Sequence, residues 1–431
     1  MKQNEVTPRY ARRASAPAYL ALVLCLVWVS PELSAAALPP FVKPPVLKAA
    51  FLLPPDMLSG PLFKVDDEVP TDGFMGHFTL RSELGTFVVV GRELLRIRIA
   101  ELPAIQQLNN MSKSQVFLDA LANATAKPIQ SAANIITHPV QTVQNLPAGI
   151  SRLFDRIELG AKKITQAADD PDKSDTQRAE DAMVHVGSAA ITALGFEQGR
   201  RQLAKRLGVD PYTTNPILAE KLTDIAWVAF SGRVTVNSLV AVFVPVSMAI
   251  SGTSIVNDLV YETPAADLII MNRQKMIAMG ASETQAQALV NNRWYSLSVL
   301  TLLVTELERL SGVAGRPEVI TLAATARNEE EADFFAASVH LLVRLKATER
   351  PISKMTGQGT VVAMTPSGEE VVPAPVDYIS WTERIGRFAQ RPDLKAAKRS
   401  VWLTGKISEV AERGFIGLGW KLYEASWPKG V

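Results

Sequence analysis

The stretch Val234–Asn257, VTVNSLVAVFVPVSMAISGTSIVN, decides how the rest of this chain is interpreted. It is an uncharged run of 24 residues between Arg233 and Asp258. A helix needs about 20 mostly apolar residues to cross a bilayer. The length of the run therefore allows two interpretations, a membrane span or the deepest part of a soluble core.

The composition of this run favours the buried core. Pro245 removes a backbone donor in the middle of the apolar residues, and Ser251-Gly252 indicates that the run breaks into two pieces. Basic residues flank both ends, so the sequence has no positive-inside bias. We therefore predict that residues 234–257 form the centre of a large helical domain, and membrane association through them is the alternative.

The N-terminal residues have the order of an export signal. Three arginines, Arg9, Arg12 and Arg13, precede the apolar segment Ala18–Val29, and small residues follow as far as Ala37. A basic region, a short apolar region and a small-residue cleavage site are typical of secretory signal peptides. We predict that residues 1–37 are a signal peptide cleaved after Ala37 and that the protein is periplasmic or secreted. An uncleaved N-terminal anchor is the alternative.

Charge and cysteine content exclude several classes of function. Residues 1–37 contain four basic and two acidic residues, so their removal from 45 basic and 43 acidic residues leaves 41 of each. A neutral mature chain gives no case for a nucleic-acid partner. The single cysteine, Cys25, lies in the predicted signal peptide, so the mature chain is expected to have no thiolate chemistry.

The order of apolar patterns and turn residues predicts an α+β fold that is predominantly α-helical. The expected layout has a short N-terminal β-hairpin, a large helical body and a small C-terminal α/β unit. The predicted boundaries are 38–70 for a proline-rich arm, 71–91 for the hairpin, 92–350 for the helical body and 357–431 for the C-terminal unit.

Local signals place several helix ends. Asn215 before Pro216 predicts a capped helix start, Ser282 with Gln285 predicts a capping box, and Asn328 predicts another cap. Within the C-terminal unit, Val376–Gln390 is predicted to be a helix.

The sequence contains no recognisable catalytic motif. Its four histidines, His77, His138, His185 and His340, do not form a metal-binding pair of the HExxH type, and nucleophile-elbow, P-loop and dinucleotide fingerprints are missing. We therefore predict no catalytic residue, metal site or cofactor. An enzyme whose site is assembled from His138, Asp210 or the cluster Glu329–Glu331 is an alternative, because catalytic groups need be neighbours only in space.

Aromatic residues are concentrated near the C-terminus. Trp381, Trp402 and Trp420 lie there together with the basic residues Arg384 and Arg387. Exposed tryptophans stack on sugars and amphipathic surfaces, which predicts a contact for an envelope glycan or a protein partner. The alternative is that the tryptophans fill a small core.

Two short patterns carry a resemblance. Val209–Pro216, VDPYTTNP, and Trp402–Gly405, WLTG, followed by Gly419-Trp420, resemble patterns in a group of exported bacterial proteins with no assigned activity. The resemblance covers most of the mature chain and implies export, but it implies no active site. The expected function is that of a non-enzymatic periplasmic or cell-envelope interaction protein.

Overall fold

Short antiparallel strands form the N-terminal part of the described chain. A computed structural model describes residues 38–119 except 116, 196–231, 254–347 and 351–424, which belong to one compact unit. Strand β1 pairs with β4, and a separate four-stranded sheet has the order β2-β3-β5-β6. The strands are β1 (Val46–Lys48), β2 (Ser59–Gly60), β3 (Phe63–Val65), β4 (Glu68–Pro70), β5 (His77–Ser82) and β6 (Gly85–Val90).

The proline-rich stretch is more regular than the arm predicted for residues 38–70. After β1 the chain forms helix α1 (Ala49–Leu52), and a single 3-10 turn follows at Pro55–Met57. Prolines are tolerated at a helix start and at a strand end, as at Pro70. Antiparallel pairing of β1 with β4 therefore ties this stretch to itself, where the sequence predicted an unpaired arm.

Helices make up most of the described chain, and the fold is α+β as predicted. A helix over residues 196–207, here α3, ends at Gly208, whose φ is +66°. The other helices are α2 (Arg92–Ser112), α4 (Pro216–Ser231), α5 (Ser254–Glu262), α6 (Ala265–Ala278), α7 (Glu283–Val290), α8 (Leu297–Arg309), α9 (Arg316–Ala323), α10 (Glu329–Ala347), α11 (Glu383–Ala389) and α12 (Glu409–Gly417).

Helix α8 lies at the centre of the described helices. It contacts α5, α6 and α10, and its residues Leu303, Val304 and Leu307 are fully buried. The helix begins at Leu297, where the Ser296 hydroxyl accepts the backbone N–H of Val299 and caps the first turn.

The run 234–257 falls mainly outside the described residues. Its last four residues, 254–257, open helix α5, where Val256 and Asn257 are buried. In the ranges that the structure describes, every helix is too short or too polar to cross a membrane.

A five-stranded mixed sheet forms the C-terminal part. Its order is β13-β11-β9-β8-β7, with parallel pairing between β9, β11 and β13 and antiparallel pairing between β7, β8 and β9. A further short parallel pair joins β10 and β12. The strands are β7 (Lys354–Gly357), β8 (Val361–Met364), β9 (Glu369–Ala374), β10 (Tyr378–Ile379), β11 (Lys398–Leu403), β12 (Lys406–Ile407) and β13 (Trp420–Glu424).

The two faces of this sheet belong to two apolar clusters. Val361 and Ala363 of β8 lie in the main core with the helices, whereas Val362 lies in a second cluster with Trp381 and Trp420. Successive side chains of a strand point to opposite faces, which explains the alternation. The inner face of the sheet therefore completes the core of the helical body.

The predicted helix Val376–Gln390 is wrong over its first half. The structure has strand β10 there, and α11 begins only after Thr382, whose hydroxyl accepts the N–H of Ile385. Long-range hydrogen bonds hold the earlier residues extended, since the N–H groups of Asp377 and Ser380 donate to backbone carbonyls at Phe74 and Gly73.

Candidate functional site

A cavity of about 300 Å³ lies where several separate segments of the chain meet. Its wall takes residues from the first half of α2, the loop before α4, the start of α8, the first half of α10 and the C-terminal part around Asp377. Small-molecule sites are concave, mostly apolar and supplied with a few convergent polar groups. The polar residues of the wall are Arg92, Glu93, Arg96, Arg98, Glu101, Asp210, Thr213, Thr214, Ser296, Ser298, Glu329, Glu330, Asp333, His340, Asp377 and Thr404.

A buried ion pair forms one side of the cavity. Arg98 and Glu101 lie one turn apart on α2 with Nη1 3.1 Å from Oε2, and the Arg98 and Glu101 side chains are 8% and 0% exposed. Helix spacing puts Arg98 on the inward stripe with Leu95 and Leu102, both fully buried. The two charges can remain buried because other residues form hydrogen bonds and a second ion pair with them.

Three neighbouring residues of the loop before α4 complete this pair. Glu101 accepts hydrogen bonds from the Thr213 hydroxyl and, at 2.8 Å, from the Asn215 amide. The Thr214 hydroxyl donates to Glu329 at the start of α10, and Arg98 Nη2 lies 3.3 Å from the same carboxylate. The network therefore ties α2, the loop and α10 together around the cavity.

Asp210 enters the cavity from the same loop. Its Oδ1 accepts hydrogen bonds from the Ser298 hydroxyl and from the Tyr212 backbone N–H at 2.7 Å. Burial raises the pKa of Asp210 to about 6, although both hydrogen bonds favour the ionised form and oppose that rise. Asp210 can therefore gain or lose a proton near neutral pH.

A further carboxyl group of the wall belongs to Asp333, on the second turn of α10. No described residue donates a hydrogen bond to it, while Glu329 and Glu330 lie close on the same helix. Burial and then the negative charge of Glu329 raise the pKa of Asp333 well above its ordinary value. Among the described residues this carboxyl group has no hydrogen-bond donor, and the positive charge of Arg98 only partly offsets the effects of burial and of Glu329.

The rim next to the C-terminal part carries a buried carboxylate with a structural role. Asp377 accepts the backbone N–H of Gly76 at 3.0 Å and that of Arg92 at 3.1 Å, so it caps α2 from a residue far away in sequence. Burial raises the pKa of Asp377, and these two backbone hydrogen bonds oppose the rise.

The remaining wall is apolar, and one histidine borders it. Leu94, Ile97, Val299, Leu302 and Phe334 are among the apolar residues that line the cavity. His340 lies with Nδ1 3.4 Å from Oε2 of the fully buried Glu306. Within the described ranges, no three His, Cys, Asp or Glu side chains are arranged to hold a metal ion.

The structure puts the sequence-predicted binding residues into different environments. Trp381 and Trp420 are 0% and 2% exposed, so neither ring is available for stacking on a sugar. They fill the second apolar cluster, which was the alternative interpretation. Trp402 is half-buried and stacks on Tyr423 with ring centroids 4.7 Å apart.

The two predicted arginines are exposed but engaged. The Arg384 guanidinium lies over the Phe74 ring at 4.7 Å, and Arg387 is paired with Glu383 one turn earlier on α11. An exposed pair of this kind contributes little to stability. These residues and the tryptophans do not share one open surface.

Some of the residues proposed for a non-local site do come together in the structure. Asp210 and Glu329 both line the cavity, whereas His138 lies outside the described residues. Arg98 and Glu101 were missed, although a signal existed: a charge at position 98 interrupts the apolar stripe of an otherwise inward helix face. A charged pair at this spacing in such a stripe indicates a buried polar network.

Fold and site together define the class as an α+β protein with a carboxylate-lined internal cavity. Comparison of the chain with protein-family models, curated proteins and solved structures gives no match. The resemblance of its two short patterns to exported bacterial proteins therefore stays a prediction.

Proposed function

We propose that this chain is an exported protein of the cell envelope that binds a small molecule in the carboxylate-lined cavity. One observation carries the proposal: Asp210, Glu329 and Asp333, from two separate segments, converge on one cavity between apolar walls. Burial of carboxyl groups opposes folding. Several such groups around one cavity are therefore typical of a functional site, where binding or catalysis requires them.

The cellular location in this proposal depends on the N-terminal sequence. Residues 1–37 have the basic, apolar and small-residue order of a signal peptide, which supports a periplasmic or secreted protein cleaved after Ala37. The alternative of membrane association depends on residues 234–257. Carbonate extraction of the native protein separates the two, because a membrane-spanning chain stays in the pellet.

The proposed layout keeps the three predicted parts, and each of them contributes to the site. Val90 belongs to the predicted hairpin, Arg98 to the helical body and Asp377 to the C-terminal α/β unit, and all three line the cavity. A ligand held among three parts would stabilise their packing against one another, which makes binding visible in thermal unfolding.

A cavity-filling variant tests the proposal. Ala337 lines the cavity from α10, so Ala337→Trp should occupy its space, while Ala278→Trp on the exposed end of α6 is the matched control. The purified full chain and both variants are screened by thermal shift against polar and amphiphilic metabolites. We expect compounds that raise the Tm of the wild type and Ala278→Trp but not that of Ala337→Trp. Compounds that stabilise all three proteins equally would contradict the proposal.

A second candidate is an envelope enzyme that uses the same cavity. It is favoured by two carboxyl groups whose pKa values are both raised by burial, that of Asp210 to about 6 and that of Asp333 well above its ordinary value. Differently perturbed carboxyl groups in one site are suited to general acid and base catalysis. Mass spectrometry of a bound compound after incubation distinguishes the two functions, because only an enzyme converts it, and Asp333→Asn would then abolish the conversion.

A further inference from the structure

We infer that the ligand of this cavity is a small organic cation with an apolar body, such as an alkylamine, whose ammonium group lies against Asp333 and Glu329. The inference rests on the proposed binding function and names the class of ligand. It follows from the charges of the wall, from the hydrogen-bonding state of Asp333 and from the apolar surface beside it.

The wall carries an excess of acidic groups. Among the described residues, three arginines line the cavity against seven aspartates and glutamates. Each arginine is already engaged: Arg98 with Glu101 and Glu329, Arg96 with Glu93, and Arg92 with the Thr404 carbonyl. An anion entering the cavity would therefore meet carboxyl groups, and the arginines of the described wall are already engaged, whereas a cation is attracted.

Asp333 provides the specific partner. Its carboxyl group accepts no hydrogen bond from the described residues, and Glu329 and Glu330 repel its charged form. An ammonium group supplies the missing donors and adds a second positive charge to that of Arg98, whose effect on Asp333 is outweighed by burial and by Glu329. A neutral alcohol supplies a donor without the charge, and a carboxylate supplies neither.

The apolar wall defines the rest of the ligand. Leu94, Ile97, Val299, Leu302 and Phe334 line the cavity, whose volume is about 300 Å³. An inorganic cation would leave this surface uncovered, whereas a chain of several methylene groups removes it from water. The ligand therefore carries its charge at one end and an alkyl or aryl group at the other.

Three probe molecules with alkyl chains of similar length distinguish the effect of ligand charge on affinity from the effect of ligand shape. Hexylamine, hexanol and hexanoate are titrated at pH 7 into the purified full chain by isothermal calorimetry. We expect hexylamine to bind about tenfold or more tightly than hexanol, since a hydrogen bond to a charged group is stronger than a neutral one, and hexanoate not to bind.

Two aspartate variants test the position of the ammonium group. Asp333→Asn should weaken hexylamine binding about tenfold and leave hexanol binding unchanged, because it removes charge and keeps shape. Asp267→Asn, at an exposed position on α6, controls for net charge and should change neither. Urea unfolding of both variants verifies that they fold.

The outcomes separate this inference from the proposed function. Hexanol or hexanoate binding as tightly as hexylamine, in a manner blocked by Ala337→Trp, would overturn the cationic ligand while the cavity remained a binding site. Unaltered hexylamine binding by Asp333→Asn would also overturn the inference. Failure of all three probes, together with no compound sensitive to Ala337→Trp, would reject both.

Discussion

Arg98 and Glu101 form an ion pair on α2 that is almost completely withdrawn from water, with 3.1 Å between Nη1 and Oε2. Desolvation of two charges is unfavourable, and the pair is maintained only because Thr213, Asn215 and Glu329 complete its hydrogen bonds and charge. The same network forms a side of the cavity. Stability and the shape of the site therefore depend on the same few atoms.

Neutralising one partner should be strongly destabilising. Glu101→Gln leaves the buried Arg98 with one direct ion-pair contact, to Glu329, and we expect the free energy of unfolding to fall by about 3 kcal/mol or more. Urea unfolding followed by circular dichroism measures the change.

The same helix offers a matched control for this substitution. Glu93 and Arg96 have the same spacing, but their side chains are 33% and 40% exposed. Glu93→Gln should change the free energy of unfolding by less than about 1 kcal/mol. Equal losses of unfolding free energy for Glu93→Gln and Glu101→Gln would show that the contribution of the Arg98–Glu101 pair to stability does not depend on its burial.

Asp210 should make stability depend on pH in a defined direction. Folding raises its pKa from 3.8 to about 6, so the folded state binds the proton more tightly than the unfolded state does. The resulting stabilisation is complete below pH 3.8 and is lost as the pH rises through about 6.

Asp210→Asn removes this titration and keeps an acceptor for Ser298 and Tyr212. Relative to the wild type, the free energy of unfolding of the variant should rise by about 2 kcal/mol between pH 4 and pH 7. Urea unfolding at several pH values measures the difference. Parallel curves for the two proteins would contradict the raised pKa.

A predicted capping box offers a local test. The Ser282 hydroxyl accepts the N–H of Gln285, and the Gln285 side chain accepts the N–H of Ser282, at the start of α7. Ser282→Ala should lower the free energy of unfolding by about 1 kcal/mol, and Ser282→Asp should restore most of it by supplying another acceptor. An alanine variant as stable as the wild type in thermal unfolding would mean that the packing of α7 determines its start.

This capping box shows what could be predicted from the sequence. Ser282 with Gln285, Asn215 with Pro216, and Asn328 before α10 each depend on residues a few positions apart, and each signal marks the start of a helix in the structure. The hydrogen bonds of a helix cap join residues that are close in sequence, so the start of a helix can be predicted from a few neighbouring residues.

Long-range contacts were not predictable in this way. Arg98 and Glu329 are 231 positions apart, so neither neighbourhood contains a sign of the other. The sequence suggested Asp210 and Glu329 as members of a non-local site, but only folding brings them to one cavity. The same limit explains the error at Val376–Gln390, where hydrogen bonds to Gly73 and Phe74 override helical propensity.

The burial of Trp381 could not be inferred from local sequence for the same reason. It depends on which face of the C-terminal sheet is covered by helices. In the structure the Trp381 ring is fully buried, it lies 5.7 Å from the Phe415 ring, and its indole N–H donates to the Pro39 carbonyl at 2.9 Å. The ring contact with Phe415 and the hydrogen bond to Pro39 together restrain the position of the ring.

Gly414 on α12 should therefore resist substitution. A Cβ at this position would lie 2.7 Å from three atoms of the Trp381 ring, which has no room to move. We expect Gly414→Ala to lower the free energy of unfolding by about 1–3 kcal/mol, because overpacking outweighs the gain of up to about 1 kcal/mol in helix propensity. Near-ultraviolet circular dichroism should report the disturbed aromatic cluster.

Gly417, the last residue of the same helix, provides the control. A Cβ there would meet only the Leu38 side chain, at an ordinary contact distance of 3.6 Å. Gly417→Ala should change the free energy of unfolding by no more than about 1 kcal/mol and leave the near-ultraviolet spectrum unaltered. If Gly414→Ala were as stable as Gly417→Ala, the Trp381 ring would have to be free to shift, and the tryptophan would again be a candidate for an exposed contact.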